Sequence, residues 1–310
     1  LVMHISADRK RVDAVSIPRD TLVDIPECKS LDGETAGAEE DGQFNSAFAN
    51  GAGTGNDKKA VASGAACTLK TVEKMTDIRI DDFVVVDFNG LSKVVDSLGG
   101  VHVQVDEAID DPDYTGMKLD EGCQKLDGQT ALQYARVRHG VGDGSDISRI
   151  SRQQKLMNAM ASKALSSNLL TQSGFLTSTL ETLTTSEHIG QIGNLSGLAY
   201  SVQGVGMDKI NFITMPNEQA ADENRVVPSE NAKKVWKAIK EDKPIPAEAA
   251  APAATDAGAT AGDQAASEEG PTGSSEADAA TTQAPQTQAP QTGTSSQQPT
   301  AKPSAQACPA

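Results

Sequence analysis

Apolar and polar residues alternate in short runs from the first position, and the period of each run predicts an element. Leu1–Ser6 and Val12–Ile17 are β-prone and are joined by the polar stretch Ala7–Arg11, which predicts a hairpin. Pro18 ends ladder pairing and leaves Arg19 and Asp20 at a strand end, with a local turn and ion pair as the plain alternative to a site. Residues 27–66 show no apolar period apart from an amphipathic turn at Phe44–Phe48, and a helix is expected at Cys67–Met75, where Leu69, Val72 and Met75 recur at helical spacing. The continuous run Phe83–Phe88 predicts a buried strand, followed by a helix capped by Asn89 through Leu91, Val94, Val95 and Leu98 and stopped at Gly99-Gly100. Val101–Val105 alternates as a strand; residues 106–125 read as a polar loop. Asp127-Gly128-Gln129 opens a helix, and a long helix capped by Ser145 or Ser148 follows with Ile150, Leu156, Met157, Met160, Ala164 and Leu165. Helices near 171–183 and 189–202, a strand at Lys209–Met215 and a helix at Ser229–Lys240 complete the pattern. Strands and helices alternate, so the fold class is α/β: a central mixed β-sheet flanked by helices.

The pattern stops near Pro244, where Ala, Pro, Thr, Gln, Ser and Gly take over and QAPQT occurs at Gln283–Thr287 and again at Gln288–Thr292. Such a segment has too little apolar surface to offset its ordering entropy. The division is therefore a folded domain over residues 1–243 and a disordered tail over 244–310. No signal peptide or membrane span is visible.

Charge narrows the chemistry. A formal net charge of -16 excludes sequence-independent nucleic-acid binding, which needs a broad basic surface. Against that background Ala135–Gln154 is rich in arginine. Arg136 and Arg138 share a face of an extended chain, and Arg149 and Gln153 share a face of a helix. The Gly140, Gly142 and Gly144 loop lets the two faces converge. Guanidiniums aimed at one point repel unless a multidentate anion sits between them, so a phosphate or pyrophosphate is the expected ligand; surface pairing with carboxylates is the alternative.

The four cysteines, Cys28, Cys67, Cys123 and Cys308, lack zinc spacing and point to disulfides. A bridge between Cys28 and Cys67 would close the long aperiodic segment; the pairing of Cys123 and Cys308 stays open. The acidic run Asp110, Asp111, Asp113 reads as a solvated loop in preference to a cation site. His139 reads as a loop hydrogen-bonder in preference to a general base.

Taken together, SIPRDT at 16–21, FNSAF at 44–48, TVEKMTDIRIDDFVVVDFNGLSKVVDSLGGVHV at 71–103, LDGQTALQYARVRHG at 126–140 and GDGSDISRISRQQ at 142–154 resemble the LytR-CpsA-Psr proteins of the actinobacterial branch. The resemblance implies an extracytoplasmic, membrane-anchored phosphotransferase at the cell surface. Its donor would be a polyprenyl-pyrophosphate-linked glycan and its acceptor peptidoglycan, joined through a phosphodiester; a surface-protein acceptor or a non-catalytic prenyl-phosphate-binding module are the alternatives. It further implies catalytic roles for Arg19, Arg136 and Arg138, pyrophosphate binding by these three with Arg149 and Gln153, and a prenyl chain held by the apolar helices after Gln154. Magnesium is the implied cofactor. The family's metal-binding aspartates and membrane anchor lie upstream of the strand at Leu1, so the chain reads as truncated at its N-terminus and no aspartate here is assigned to the metal.

Overall fold

The computed structural model describes residues 1–30, 33–137, 146–167, 172–222, 224–250 and 308, except for the side chains of 146–148. In chain order the strands and helices are β1 (Val2–Ile5), β2 (Val12–Ser16), β3 (Leu22–Ile25), β4 (Cys28–Lys29), β5 (Thr35–Ala36), β6 (Glu39–Gln43), α1 (Ser46–Ala52), α2 (Lys58–Thr76), β7 (Val84–Val85), α3 (Phe88–Ser97), β8 (Val101–Val105), β9 (Ile109–Asp111), β10 (Met117–Leu119), β11 (Gly122–Leu126), α4 (Gly128–Arg136), α5 (Asp146–Ser166), α6 (Ser173–Thr182), β12 (Thr184–Thr185), α7 (Ile192–Gln203), β13 (Ile210–Thr214), β14 (Asn217–Gln219), β15 (Val226–Pro228), α8 (Glu230–Lys240) and α9 (Ala247–Ala250).

The expected hairpin forms: β1 and β2 are antiparallel, with Val2 opposite Val15 and Ile5 opposite Val12. β13 adds to the other edge of β2 in parallel, giving a mixed sheet of order β1-β2-β13. β2 is therefore the central strand and is almost wholly buried. Its one carboxylate, Asp13, is fully buried and accepts from Arg11 Nε at 2.7 Å and Asn211 Nδ2 at 2.7 Å, as a buried charge requires. Val15 and Met215 join Val235, Trp236 and Ile239 of α8 in one core cluster, which Ala249 and Ile245 extend. The packed chain thus runs past Lys243 to Ala250.

A second core lies between the β8–β11 hairpin and helices α3, α4 and α5, through Val95, Val101, Val103, Leu126, Tyr134 and Leu156. A third joins β3 to α1 and α2 around the Cys28–Cys67 disulfide, whose Cα atoms are 5.7 Å apart. The second bridge is Cys123–Cys308, which returns the end of the chain to β11.

Several expectations are corrected. The segment expected as a loop over 27–66 contains β4, β5, β6, α1 and the start of α2. That helix begins at Lys58, nine residues before Cys67, and its N-cap Asp57 accepts from Ala60 N; its early buried positions are Ala60, Gly64 and Ala65, which leave no period of large apolar residues to read. The run Phe83–Phe88 is not a buried strand: only Val84–Val85 pairs, and Val84, Val86 and Phe88 are exposed. Asp87, not Asn89, caps α3 by accepting from Gly90 N at 2.6 Å. Residues 106–125 hold the β9–β10 hairpin and most of β11, with Ile109 and Met117 buried. The start of α5 is Asp146, so Ser148 lies within the helix and Ser145 lies outside the described residues.

Candidate functional site

β2 and β13 run the same way, so their C-terminal ends meet at Ser16 and Thr214, joined onward by Met215 N donating to Ser16 O at 2.7 Å. Crevices beyond the carboxyl ends of parallel strands are where α/β sheets place ligands. Five residues past Ser16, Thr21 Oγ1 donates back to Pro18 O at 2.7 Å and closes a turn that carries Arg19 and Asp20. Asn45 N donates to Arg19 O at 3.0 Å and Phe44 N to Thr21 O at 2.8 Å, so the FNSAF segment braces that turn. Asp20 accepts from Arg19 Nε at 3.0 Å and from Gln43 Nε2, and Arg225 Nη1 lies 3.8 Å from it. The local ion pair expected of Arg19 and Asp20 is thus present, and β14–β15 contributes a third charge to it.

α5 reaches the same end of the sheet, because Gln154 Nε2 donates to Thr214 Oγ1 at 2.9 Å. The two residues before it hold the end of α4: Gln153 Nε2 donates to Ala135 O at 3.2 Å, and Arg152 Nη2 donates to Val137 O at 2.6 Å. Arg136 is the last residue of α4 and is exposed, with its guanidinium carbon 4.6 Å from the centroid of the Phe88 ring. Arg149 sits one turn before Gln153 and is half-buried. The structure therefore connects Arg136, Arg149 and Gln153 through the α4–α5 contact and ties that contact to the strand end from which Arg19 departs. Arg138 and His139 lie outside the described residues.

Arg152, Gln154, Gln43 and Arg225 were not legible as site residues. Arg152 is 7% exposed, and its work is to hold the backbone between Arg136 and position 138; in the sequence it is only an arginine three residues after Arg149, and its burial is not legible there. Arg225 has no local pattern at all, since its partner is two hundred residues away.

Beside Arg152, Tyr134 is buried and its phenol is pushed up to about 12, chiefly by desolvation, which the nearby Arg152 charge only partly offsets. Both line a cleft of about 120 Å³ with Val105, Ile109, Asp106 and Lys155. Past Gln154 the apolar residues divide: Leu156 is core, Met160, Ala164 and Phe175 pack against it, and Leu180, Leu183, Leu195 and Leu198 are half-buried.

Among the described residues Asp20, Asp110 and Asp111 are held by protein partners. Asp20 is occupied as described, Asp110 pairs with Lys118 across the β9–β10 hairpin at 3.7 Å, and Asp111 accepts from Thr115 Oγ1 at 2.8 Å. Among the described residues no group of three or more His, Cys, Asp and Glu could hold a metal ion. No chemical step here runs through magnesium. Among the described residues no helix is long and apolar enough to cross a membrane.

Comparison with known proteins gives consistent matches. The sequence model of the LytR_cpsA_psr family matches residues 1–241. The chain is 29% identical over 219 residues to the cell wall biosynthesis protein LcpA of Corynebacterium glutamicum, covering 70% of this chain and 42% of LcpA. It is 27% identical over 234 residues to the polyisoprenyl-teichoic acid–peptidoglycan teichoic acid transferase TagU of Halalkalibacterium halodurans, covering 71% of this chain and 68% of TagU. The chain thus spans less than half the length of LcpA. The crystal structure of Bacillus subtilis TagV superposes with a TM-score of 0.56 at 25% identity, over 76% of this chain and 84% of TagV.

Proposed function

The chain belongs to the LytR-CpsA-Psr family, and on that premise we propose that it is an extracytoplasmic phosphotransferase that moves a glycopolymer from a polyprenyl-pyrophosphate carrier to peptidoglycan. The observation that supports this reading is the α4–α5 contact, where Gln153 donates to the carbonyl just before Arg136, one turn after Arg149 on α5, and Gln154 ties α5 to the C-terminal end of β13. Relatives named as teichoic acid transferases to peptidoglycan support the donor and acceptor classes.

In this reaction an acceptor hydroxyl attacks the phosphorus next to the glycan. A new P–O bond forms, the bond to the bridging oxygen breaks, prenyl phosphate leaves, and the hydroxyl proton is lost to solvent or base. Negative charge spreads over the phosphoryl oxygens as the bridge breaks, and fixed guanidiniums stabilise it there more than in the ground state. Arg19, Arg136, Arg138 and Arg149 are assigned that work. Gln153 holds the end of α4, and Arg152 holds the backbone leading to Arg138. The half-buried leucines of α6 and α7 are assigned to the prenyl chain. A membrane anchor and magnesium are part of this reading, and neither supplies a step above.

The test is transfer of a radiolabelled glycan from a prenyl pyrophosphate donor to isolated peptidoglycan. Removing a charge-stabilising donor of this kind costs about 100-fold in rate, so Arg136→Ala is expected to lose transfer by that order with its melting temperature unchanged. Full transfer by Arg136→Ala would sink the assignment. Retained binding of farnesyl pyrophosphate without any turnover by the wild type would make the domain a binding module instead.

A further inference from the structure

Phe88 is one of the large apolar side chains left facing solvent, at 60% exposure, and it differs from the others in carrying the guanidinium of Arg136 on its face. It is the first residue of α3, and its backbone is fixed by the Asp87 cap immediately before it. α3 and α4 lie antiparallel: at the opposite end of the pair Asp96 Oδ1 accepts from Gly128 N at 2.8 Å. The start of α3 is thereby held against the end of α4, where Arg136 sits.

An exposed arginine at a helix end has many rotamers, and a flat aromatic surface selects those with the guanidinium plane parallel to the ring. The core requires no aromatic at position 88, because the core cluster between α3 and α4 is filled by Val95, Leu98, Ala131 and Tyr134. We propose that Phe88 is a positioning residue: its ring holds the Arg136 guanidinium in the orientation that receives the donor pyrophosphate. This rests on the phosphotransferase reading above. The ring acts through Arg136 and need not touch the substrate.

The experiment measures kcat/KM for glycan transfer in four proteins of full chain length: wild type, Phe88→Leu, Arg136→Ala and the double variant, with Phe88→Tyr as the conservative control. Leucine keeps apolar bulk and removes the π face. An exposed cation–π contact corresponds to roughly a fivefold effect. Phe88→Leu is therefore expected to lose about fivefold with its melting temperature unchanged, Phe88→Tyr to keep wild-type transfer, and Phe88→Leu to add nothing in the Arg136→Ala background. Wild-type transfer by Phe88→Leu, or an equal fivefold loss in the Arg136→Ala background, overturns the positioning role while leaving the phosphotransferase reading intact. Full transfer by Arg136→Ala overturns both, so the two failures are distinguishable.

Discussion

At the scale of single residues, charges placed by distant parts of the chain do the fastening. Asp242 follows α8 with a left-handed φ of 52°, and its carboxylate meets Ala7 N at 3.0 Å, His4 Nε2 at 2.9 Å and Arg11 Nη2 at 3.2 Å. These contacts, the Ala7 amide foremost and then His4, hold its carboxyl below the usual carboxylate range, with desolvation opposing. A carboxyl whose folded pKa is depressed stabilises the fold above its unfolded pKa of about 3.9 and loses that contribution as pH falls through the folded value. Wild type should therefore melt higher than Asp242→Asn near neutrality, and the gap should close as pH drops below about 3.9. Circular dichroism melts across that range check it; a gap that stays constant down to acid pH would remove the carboxylate from the account. None of this is legible locally, because His4, Arg11 and Asp242 have ordinary surface-residue neighbours in the sequence.

At the scale of elements, α3 and α4 approach through one glycine. A Cβ on Gly128 would overlap the Ser92 carbonyl and come within 2.6 Å of Asp96 Oδ2. Because both neighbours belong to α3, alanine there must push the helices apart, at a cost of about 1–3 kcal/mol for overpacking. The same displacement moves Arg136 off Phe88. Gly128→Ala is expected to lower the denaturant midpoint and to reduce transfer together; an unchanged midpoint would show that α3 yields at Ser92 without cost. Elements with a strong period were readable in advance: β8 alternates, and α8 carries Val235, Trp236 and Ile239 on one face. α2 was half missed because alanine and glycine have little apolar signal, yet their small size is what lets it lie close to α1, where Gly51 and Gly64 leave no room for a Cβ. The apolar run at 83–88 misled for the opposite reason. Hydrophobicity gives a residue a preference for burial, and whether another element arrives to cover it is decided elsewhere.

At the scale of the molecule, two disulfides close long stretches of chain. Cys28 and Cys67 are 39 residues apart in sequence, and closing a loop of that size removes denatured-state entropy worth about 4 kcal/mol in the chain-entropy estimate. A Cys28→Ser, Cys67→Ser variant should lose stability of that order in urea unfolding, with β3, α1 and α2 the first to exchange amide protons. Equal stability of the variant would mean that the alanine-rich packing of α1 on α2 alone closes the segment. The Cys123–Cys308 bridge changes the reading of the chain end: composition describes a segment leaving the domain, while the bond brings residue 308 back to β11 beside Gln104.

What the sequence by itself determined is the local grammar: a cluster of guanidiniums in an acidic chain, a hairpin at the start, an α/β order, and motifs in register with one family. Those follow from side-chain type and short-range period, which depend on neighbours within a few residues. The tertiary structure alone decided which distant segments meet. β2 pairs in parallel with β13 across almost two hundred residues, and only that pairing brings Arg19, the α4–α5 contact and Arg225 to one end of a sheet. Long-range pairing is selected by the whole core at once, through Asp13 with Asn211, Gln154 with Thr214 and Val15 with Met215, so no window of sequence contains it.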